Sequence, residues 1–534
     1  MSFAFNSGNQ INFNDSVFNL TEREKRFLEK SWAKLFANNI FPNIDEEPFS
    51  VLYSDKASRP NTPVNIIVGA LILKEVLGNT DDELLESVMF DVRYQYALHT
   101  TSFEEQPLSD RTLSRFRERC ITYETETGID LIKNCITGLS SQIAEIMGIR
   151  KNLKRMDSMM VASNIKKLSR LELIYTCTAN MVKLMQKNED IIPEGLEHYC
   201  EADDQNKVIY HMRSENTDDK IKTVLEDASL LLHKCKGAYD ESSEYQLLIR
   251  VINEQATEDT EGNLQLKSKD DETLNSSILQ NPSDPDATYR FKSGKGHRGY
   301  VANLVETVDE NGSIITEYSY EQNNHSDSAF LKESINSIKG TERDEITLVT
   351  DGAYGGTENI ELAKENHVNL VTTNMQGRKT AEIYADFIFS EDGKRVLKCA
   401  GGQTPITNKY NQQTEQCRIT LNRDKCNQCP YKDQCKPTFN KNKTALVISW
   451  KSTERAKQQR YMESKEFKEH ARFRNGVESL PSIIRRRYHV DKMPVRGKLK
   501  TKLFFGFKIA ALNFQKLLNF ENSLDSYTLK PELC

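Results

Sequence analysis

Hydrophobic positions recur at helical spacing through the first 150 residues, then give way to shorter apolar runs, one of which stops at an acid. In PVNIIVGALILKEVLGNTDDELLESVMFDVRYQYAL two helices are predicted. Pro63 opens the first as an N1 residue, Gly78 and Asn79 end it, and Thr80 with Glu83 makes a capping box for the second. Two helices joined by a short Gly-containing turn fit a helix-turn-helix and equally a packed helical hairpin. In LSDRTLSRFRERC a further helix turns Leu113 and Phe116 inward and points Arg111, Arg115, Arg117 and Arg119 largely elsewhere. That pattern suits contact with a DNA backbone; a solvated amphipathic helix has the same look.

Helical periodicity continues between residues 163 and about 252, in LELIYTCTANMVKLM and IKTVLEDASLLLHKC. The stretch EQATEDTEGNLQLKSKDDETLNSSILQNPSDPD is polar and acidic and reads as a loop or linker. The pattern then alternates. RGYVANLVETVDENGSIITEYSYEQ holds two β-rich runs around Asn311-Gly312, a hairpin signal. A helix in SDSAFLKESINSI, a strand ending at Asp351, a helix across ENIELAKENH and a strand in HVNLVTT complete an α/β section. A cysteine-containing segment interrupts it. A long basic helical region follows, closing on FFGFKIAALNFQKLL.

Composition sharpens this picture in three ways. The 534 residues carry a net charge of only −6, but residues 437–518 hold 20 Lys/Arg against 6 Asp/Glu, while residues 201–290 hold 20 acids against 10 bases. The basic C-terminal region suggests a polyanion partner, with a solvated helical surface as the alternative. Eleven cysteines, an odd number, argue against a disulfide framework in an unexported protein. The beginning MSFAFNSGNQ lacks a charged leader, and no apolar run is long enough for a bilayer, so a soluble cytoplasmic protein is expected.

An acid at the end of a buried strand costs free energy unless it is hydrogen-bonded, paired or bound to a cation. Asp351, in TLVTDGAYGG, is therefore a candidate metal ligand, against the alternative of a turn aspartate capping its neighbours. Asp157 interrupts an apolar run in LKRMDSMMVAS. In ARFRNGVESLPSIIRRRYH, helical spacing places Arg474, Glu478 and Arg485 on one stripe, which suits an acid on a metal between two phosphate-binding arginines or a surface ion pair. GKGHRGY lacks the spacing of a phosphate loop; Lys292, Lys295, His297 and Arg298 suit DNA-backbone contact or a polar loop. His325 and Asp327 follow the hairpin; Asp327 is expected to cap the next helix and His325 stays open. Cys426 and Cys429 stand at CxxC spacing, followed by Cys435, with Cys399 as a fourth ligand and Cys417 as a competitor. These could close a structural Zn²⁺ site or remain reduced thiols.

PLSDRTLSRFRER, MDSMMVAS, SGKGHRGY, TLVTDGAYGG and RFRNGVES occur in the order and approximate spacing of bacterial insertion-sequence transposases of the DDE class. From about residue 50 to about 520 the chain resembles in particular the insertion-sequence group numbered eleven-eighty-two. The resemblance implies an α/β, ribonuclease H-like catalytic domain with a helical N-terminal domain, a helical insertion and a cysteine-containing insertion. It places a DNA-binding domain at 1–150, the first part of the catalytic domain at 151–372 with its insertion at about 163–285, the cysteine-containing insertion at 373–450 and the basic end of the catalytic domain at 451–534. It implies Asp157, Asp351 and Glu478 as catalytic metal ligands for Mg²⁺ or Mn²⁺. Arg111, Arg115, Arg117, Lys295, Arg298, Arg474 and Arg485 become the expected DNA contacts. Related transposases carry a Tyr, Arg, Glu, Lys signature on the last helix; here Ala471 stands for the tyrosine, with Phe473 as a substitute, and Arg485 for the lysine. The implied activity is cutting and joining of element ends in double-stranded DNA by a homodimer at the nucleoid, with no membrane. A catalytically silent DNA-binding remnant and a ribonuclease H-like nuclease are the alternatives.

Overall fold

The structure, a computed structural model, describes residues 1–6, 15–54, 56, 58–103, 105–209, 217–259, 263–292, 294–372, 380–440, 443–475 and 479–528. It divides into two compact units. Met1–Lys151, Asp157–Ser334 and Leu480–Cys534 make the first, and Asn152–Met156 with Ile335–Ser479 make the second.

In the first unit the helix signals are realised. Val64–Leu77 begins directly after Pro63, which stands one residue outside the helix rather than at its first position, and Gly78 ends it with φ 75°. Thr80 and Glu83 exchange the two bonds of a capping box at the start of Asp81–Phe90. Ser109 caps Asp110–Thr127, whose buried face carries Leu113 and Phe116. These helices do not enclose a core of their own. Their apolar residues run into those of the strands, among them Val161, Tyr300 and Ile314, and into Phe505, Ile509 and Phe514 of the last helix, Lys498–Thr528. FFGFKIAALNF is apolar on nearly all sides because this helix is buried on nearly all sides.

The strands of this unit are β1 (Leu153–Ala162) from Asp157 onward, β2 (Thr288–Lys292), β3 (Lys295–Asp309) and β4 (Gly312–Gln322). β3 is long enough for two antiparallel partners: its first five residues pair with β2 and the rest with β4, and it also neighbours β1. The Asn311-Gly312 signal marks this hairpin, which closes with Asp309 opposite Gly312. The helical insertion has a separate apolar core, built by Arg170–Lys187, Thr217–Cys235 and Ser243–Gln255. The acidic stretch expected as a loop contains a short hairpin, Ala256–Glu258 with Leu264–Leu266. Three-residue strands leave too little periodicity to be read in advance.

In the second unit β5 (Ile346–Thr350) and β6 (Val368–Thr372) are parallel and joined through the helix Thr357–Glu365. β5 is also parallel to the beginning of β1, in the register Leu153↔Thr347, Lys154↔Leu348, Arg155↔Val349. Val349 and Val371 are buried with Phe467 of the helix Lys465–Asn475, and Ala471 packs against the same cluster. The cysteine-containing segment adds a four-stranded antiparallel sheet from β7 (Thr407–Asn411), β8 (Gln416–Leu421), β9 (Thr438–Phe439) and β10 (Thr444–Ile448) in the order β7-β8-β10-β9. Alternation on β8 turns Cys417, Ile419 and Leu421 inward. Among the described residues no helix is long and apolar enough to cross a membrane.

Candidate functional site

Asp157 is the fifth residue of the ten-residue β1, and Asp351 directly follows the last residue of β5. Both are half-buried. Each uses one carboxylate oxygen to accept the next backbone N–H: Ser158 donates to Asp157 Oδ1 at 2.9 Å and Gly352 to Asp351 Oδ1 at 2.6 Å. The capping role weighed for Asp351 is therefore present, at the head of the short 3₁₀ turn Gly352–Tyr354. Each backbone bond fixes the direction of its carboxylate. Glu478 lies outside the described residues, as does the side chain of Arg474. The described parts of the expected single stripe belong to two helices, Lys465–Asn475 and Ser479–Tyr488.

Several residues expected on DNA have other engagements. Arg117 forms a two-pronged bond to Asp81, Nη1 and Nη2 donating at 2.6 and 2.8 Å, and lies 5.0 Å over the Phe504 ring. Its side chain is only 13% exposed. In this structure it braces two helices to the core, because a planar guanidinium pairs well with a half-buried carboxylate. Burial alone would raise the Asp81 carboxyl, but bonds to Arg117 and Lys74 outweigh it and hold the group well below the usual range. Arg485 donates to the Met160 carbonyl at 2.6 Å and faces Asp491 at 3.3 Å, so its guanidinium ties the helix to β1. Asp327 is the first residue of Asp327–Ile338; the Ser326 hydroxyl accepts the Ala329 N–H there, while His325 faces Glu333 at 3.1 Å.

Arg111 and Arg115 are exposed. With Arg59 and Arg119 they line a cavity of ≈ 590 Å³ at the N-terminal helices. Arg119 lies 5.0 Å over the Tyr53 ring. Arg59 and Tyr53 were not anticipated, since nothing in their neighbourhood of the sequence marks them. Lys295 is exposed and Arg298 half-buried, both on the β2–β3 ribbon. Gly299 explains part of that motif: it has φ +138°, and a Cβ there would meet the Val161 carbonyl at 2.4 Å, so only glycine lets β3 approach β1 so closely.

The four candidate thiols gather. Cys399, Cys426, Cys429 and Cys435 all line one small cavity with Gly401, Gln403 and Lys432. Gln403 donates through its backbone N–H to Cys399 Sγ at 3.3 Å and through its side chain to Cys426 Sγ at 3.6 Å. Burial pushes the Cys435 thiol up to about 11, helped by the neighbouring cysteines. Cys417, the competitor, instead points at the Lys394 carbonyl, 3.1 Å away. The donor set suits Zn²⁺. As the structure stands, no group of three or more His, Cys, Asp or Glu among the described residues is arranged to hold a metal ion, so the sulfurs would have to draw together.

Comparisons with known proteins bear on these regions unequally. Residues 398–518 match the family model described as Transposase DDE domain, and residues 24–119 match the one described as Transposase domain (DUF772). The first match includes Glu478 and the four clustered cysteines; neither includes Asp157 or Asp351. No curated protein matches the sequence. Among solved structures, a piggyBac transposase synaptic complex with hairpin DNA aligns over 93% of this chain and 76% of its own, at 8% identity and TM-score 0.29, a likeness too slight to argue from. The two family matches support a DNA transposase of the insertion-sequence kind.

Proposed function

We propose that this chain is a transposase that cuts insertion-sequence ends and joins them to target DNA by metal-dependent phosphoryl transfer, with Asp157, Asp351 and Glu478 as its acids. The observation carrying this reading is Asp351, a half-buried carboxylate directly after β5 of a parallel pair, with its direction fixed by the Gly352 N–H. Strand ends in parallel sheets are where ligand-handling side chains collect. The antiparallel β3–β4 hairpin of the first unit and the parallel β5–helix–β6 of the second are in keeping with a ribonuclease H-like domain. The finer assignment, to the eleven-eighty-two group, rests on the sequence motifs.

Bound divalent ions, Mg²⁺ or Mn²⁺, would activate the attacking oxygen and neutralise the leaving one. Asp157 and Asp351 are suited to hold them because their strands and their bonds to Ser158 and Gly352 fix the carboxylates' direction. In the first step water displaces the 3′-oxygen of a phosphodiester, leaving a 3′-hydroxyl and a 5′-phosphate. In the second that hydroxyl attacks a target phosphodiester and displaces its 3′-oxygen. Arg111 and Arg115 are free in direction to meet the DNA backbone, as is Lys295. Joining two ends calls for two copies of the chain on DNA. The clustered thiols are proposed to take a structural Zn²⁺, which would expel their protons and tie Cys399 to the Cys426–Cys435 helices. Purified protein should then carry about one zinc per chain by elemental analysis, and Cys429→Ser should lose it; metal-free wild type would leave reduced thiols only.

The test is a Mg²⁺-dependent assay on DNA carrying the element ends. Asp157→Ala, Asp351→Ala and Glu478→Ala should each abolish cutting while leaving DNA binding within about threefold. Cutting without joining would indicate a nuclease, and binding without cutting by the unaltered chain a silent remnant.

A further inference from the structure

The stretch TYRFKSGKGHRGY, residues 288–300, holds four Lys/Arg and one His and no acid. Its cations account for DNA-backbone contact but not for its aromatic rings. Pairing across the ribbon sorts the two. Opposed residues of an antiparallel ladder share a face and successive residues alternate. The pairs Arg290↔His297 and Lys292↔Lys295 therefore make one face basic. The pairs Tyr289↔Arg298 and Phe291↔Gly296 make the other face aromatic.

On the aromatic face the Arg298 guanidinium lies 5.0 Å over the Tyr289 ring, and its Nε donates to Gln280 at 3.0 Å. Gly296 makes room for that ring, since a Cβ there would fall 2.6 Å from the Tyr289 hydroxyl. Phe291, opposite this glycine, is 67% exposed. These side chains border a cavity of ≈ 670 Å³ whose far wall offers Asn275, Ser276 and Asn324. Rings, a stacked guanidinium and amide groups around a concave space whose lining holds no acid match the chemistry of a nucleobase. Phe90 is also strongly exposed, but it ends a helix that begins with three acids.

We propose that the aromatic face of the β2–β3 ribbon receives an unpaired DNA base, stacked on Phe291 beside the Tyr289–Arg298 pair. Lys292 and Lys295, exposed at the ribbon's end on its other face, take phosphates of the strand where it passes around that end. The inference rests on the DNA reading above but not on the three acids.

The test is fluorescence anisotropy of the full chain without divalent ions, using a labelled 20-nucleotide single strand and the corresponding blunt duplex. Phe291→Ala should weaken single-strand binding about tenfold and change duplex binding less than twofold; Phe291→Trp should restore it. Lys292→Ala with Lys295→Ala should weaken both. Unchanged single-strand binding by Phe291→Ala, or equal loss on both DNAs, overturns the stacking site. A change in oligomeric state with DNA binding intact also overturns it, assigning the ring to a second copy. If the wild type binds both DNAs and Phe291 is silent, only this inference falls; if it binds neither, the transposase reading falls with it.

Discussion

Two basic stretches of the first unit look alike in sequence and behave differently in the fold. The last helix, Lys498–Thr528, carries Lys502, Lys508 and Lys516, and each is matched by an acid from another element: Glu124 and Asp130 at 2.7 and 2.8 Å for Lys502, Glu75 at 2.5 Å for Lys508, and Glu306 for Lys516. The β2–β3 ribbon instead keeps Lys292 and Lys295 exposed, and its Arg298 is bonded to a neutral glutamine. A sequence count of positive charge adds these together. The fold separates them, because a lysine entering a core must bring an acid with it, whereas one at a ribbon's end is left for a partner. Part of the basic surplus that suggested a polyanion is therefore internal bracing.

That contrast predicts opposite phenotypes. The largest effect belongs to Lys508→Ala, which strands Glu75 in the core and should destabilise the fold by about 3–5 kcal/mol in urea unfolding, with little change in DNA affinity of the folded fraction. A stability loss under 1 kcal/mol would place this lysine among the solvated ones.

Asp81→Ala comes next, at about 3 kcal/mol, because it leaves Lys74 and Arg117 without their shared acid. This pair also carries a pH signature. The folded carboxyl titrates below its ordinary value of 3.8, so the unfolded chain takes up the proton first as pH falls. Its stabilisation is full above that value and lost on the way down to the folded pKa. Wild type should lose more stability than Asp81→Asn between pH 5 and about pH 2, measured by denaturant unfolding.

The smallest effect is expected from Lys295→Ala. Stability should stay within about 0.5 kcal/mol, while DNA affinity falls about threefold and the salt dependence of binding loses close to one unit of slope. An unfolding defect without a binding defect would reverse the comparison.

What could be read in advance follows the same line. The capping box of Thr80 and Glu83, the hairpin at Asn311-Gly312 and the apolar runs of β5 and β6 are local, and the chain announces them. The thiol cluster was legible because three of its four members lie within ten residues. The bracing by Arg117 was not legible because its acid sits 36 residues away on another helix, nor that by Lys508, whose acid is 433 residues away. Arg485 is alike: its spacing gave no sign of the bond to the Met160 carbonyl, 325 residues distant. Helical arithmetic gives the side on which a residue lies, but not what the rest of the fold has put there.

The central claim is that Asp157 and Asp351 ligate the catalytic metal directly. Replacing either by cysteine substitutes a soft donor for a hard one, so the choice of metal should change with the residue. For Asp351→Cys and Asp157→Cys, cleavage of end-bearing DNA should vanish in Mg²⁺ and return in part in Mn²⁺, with DNA binding unchanged throughout. Full cleavage in Mg²⁺ by either variant would contradict the account.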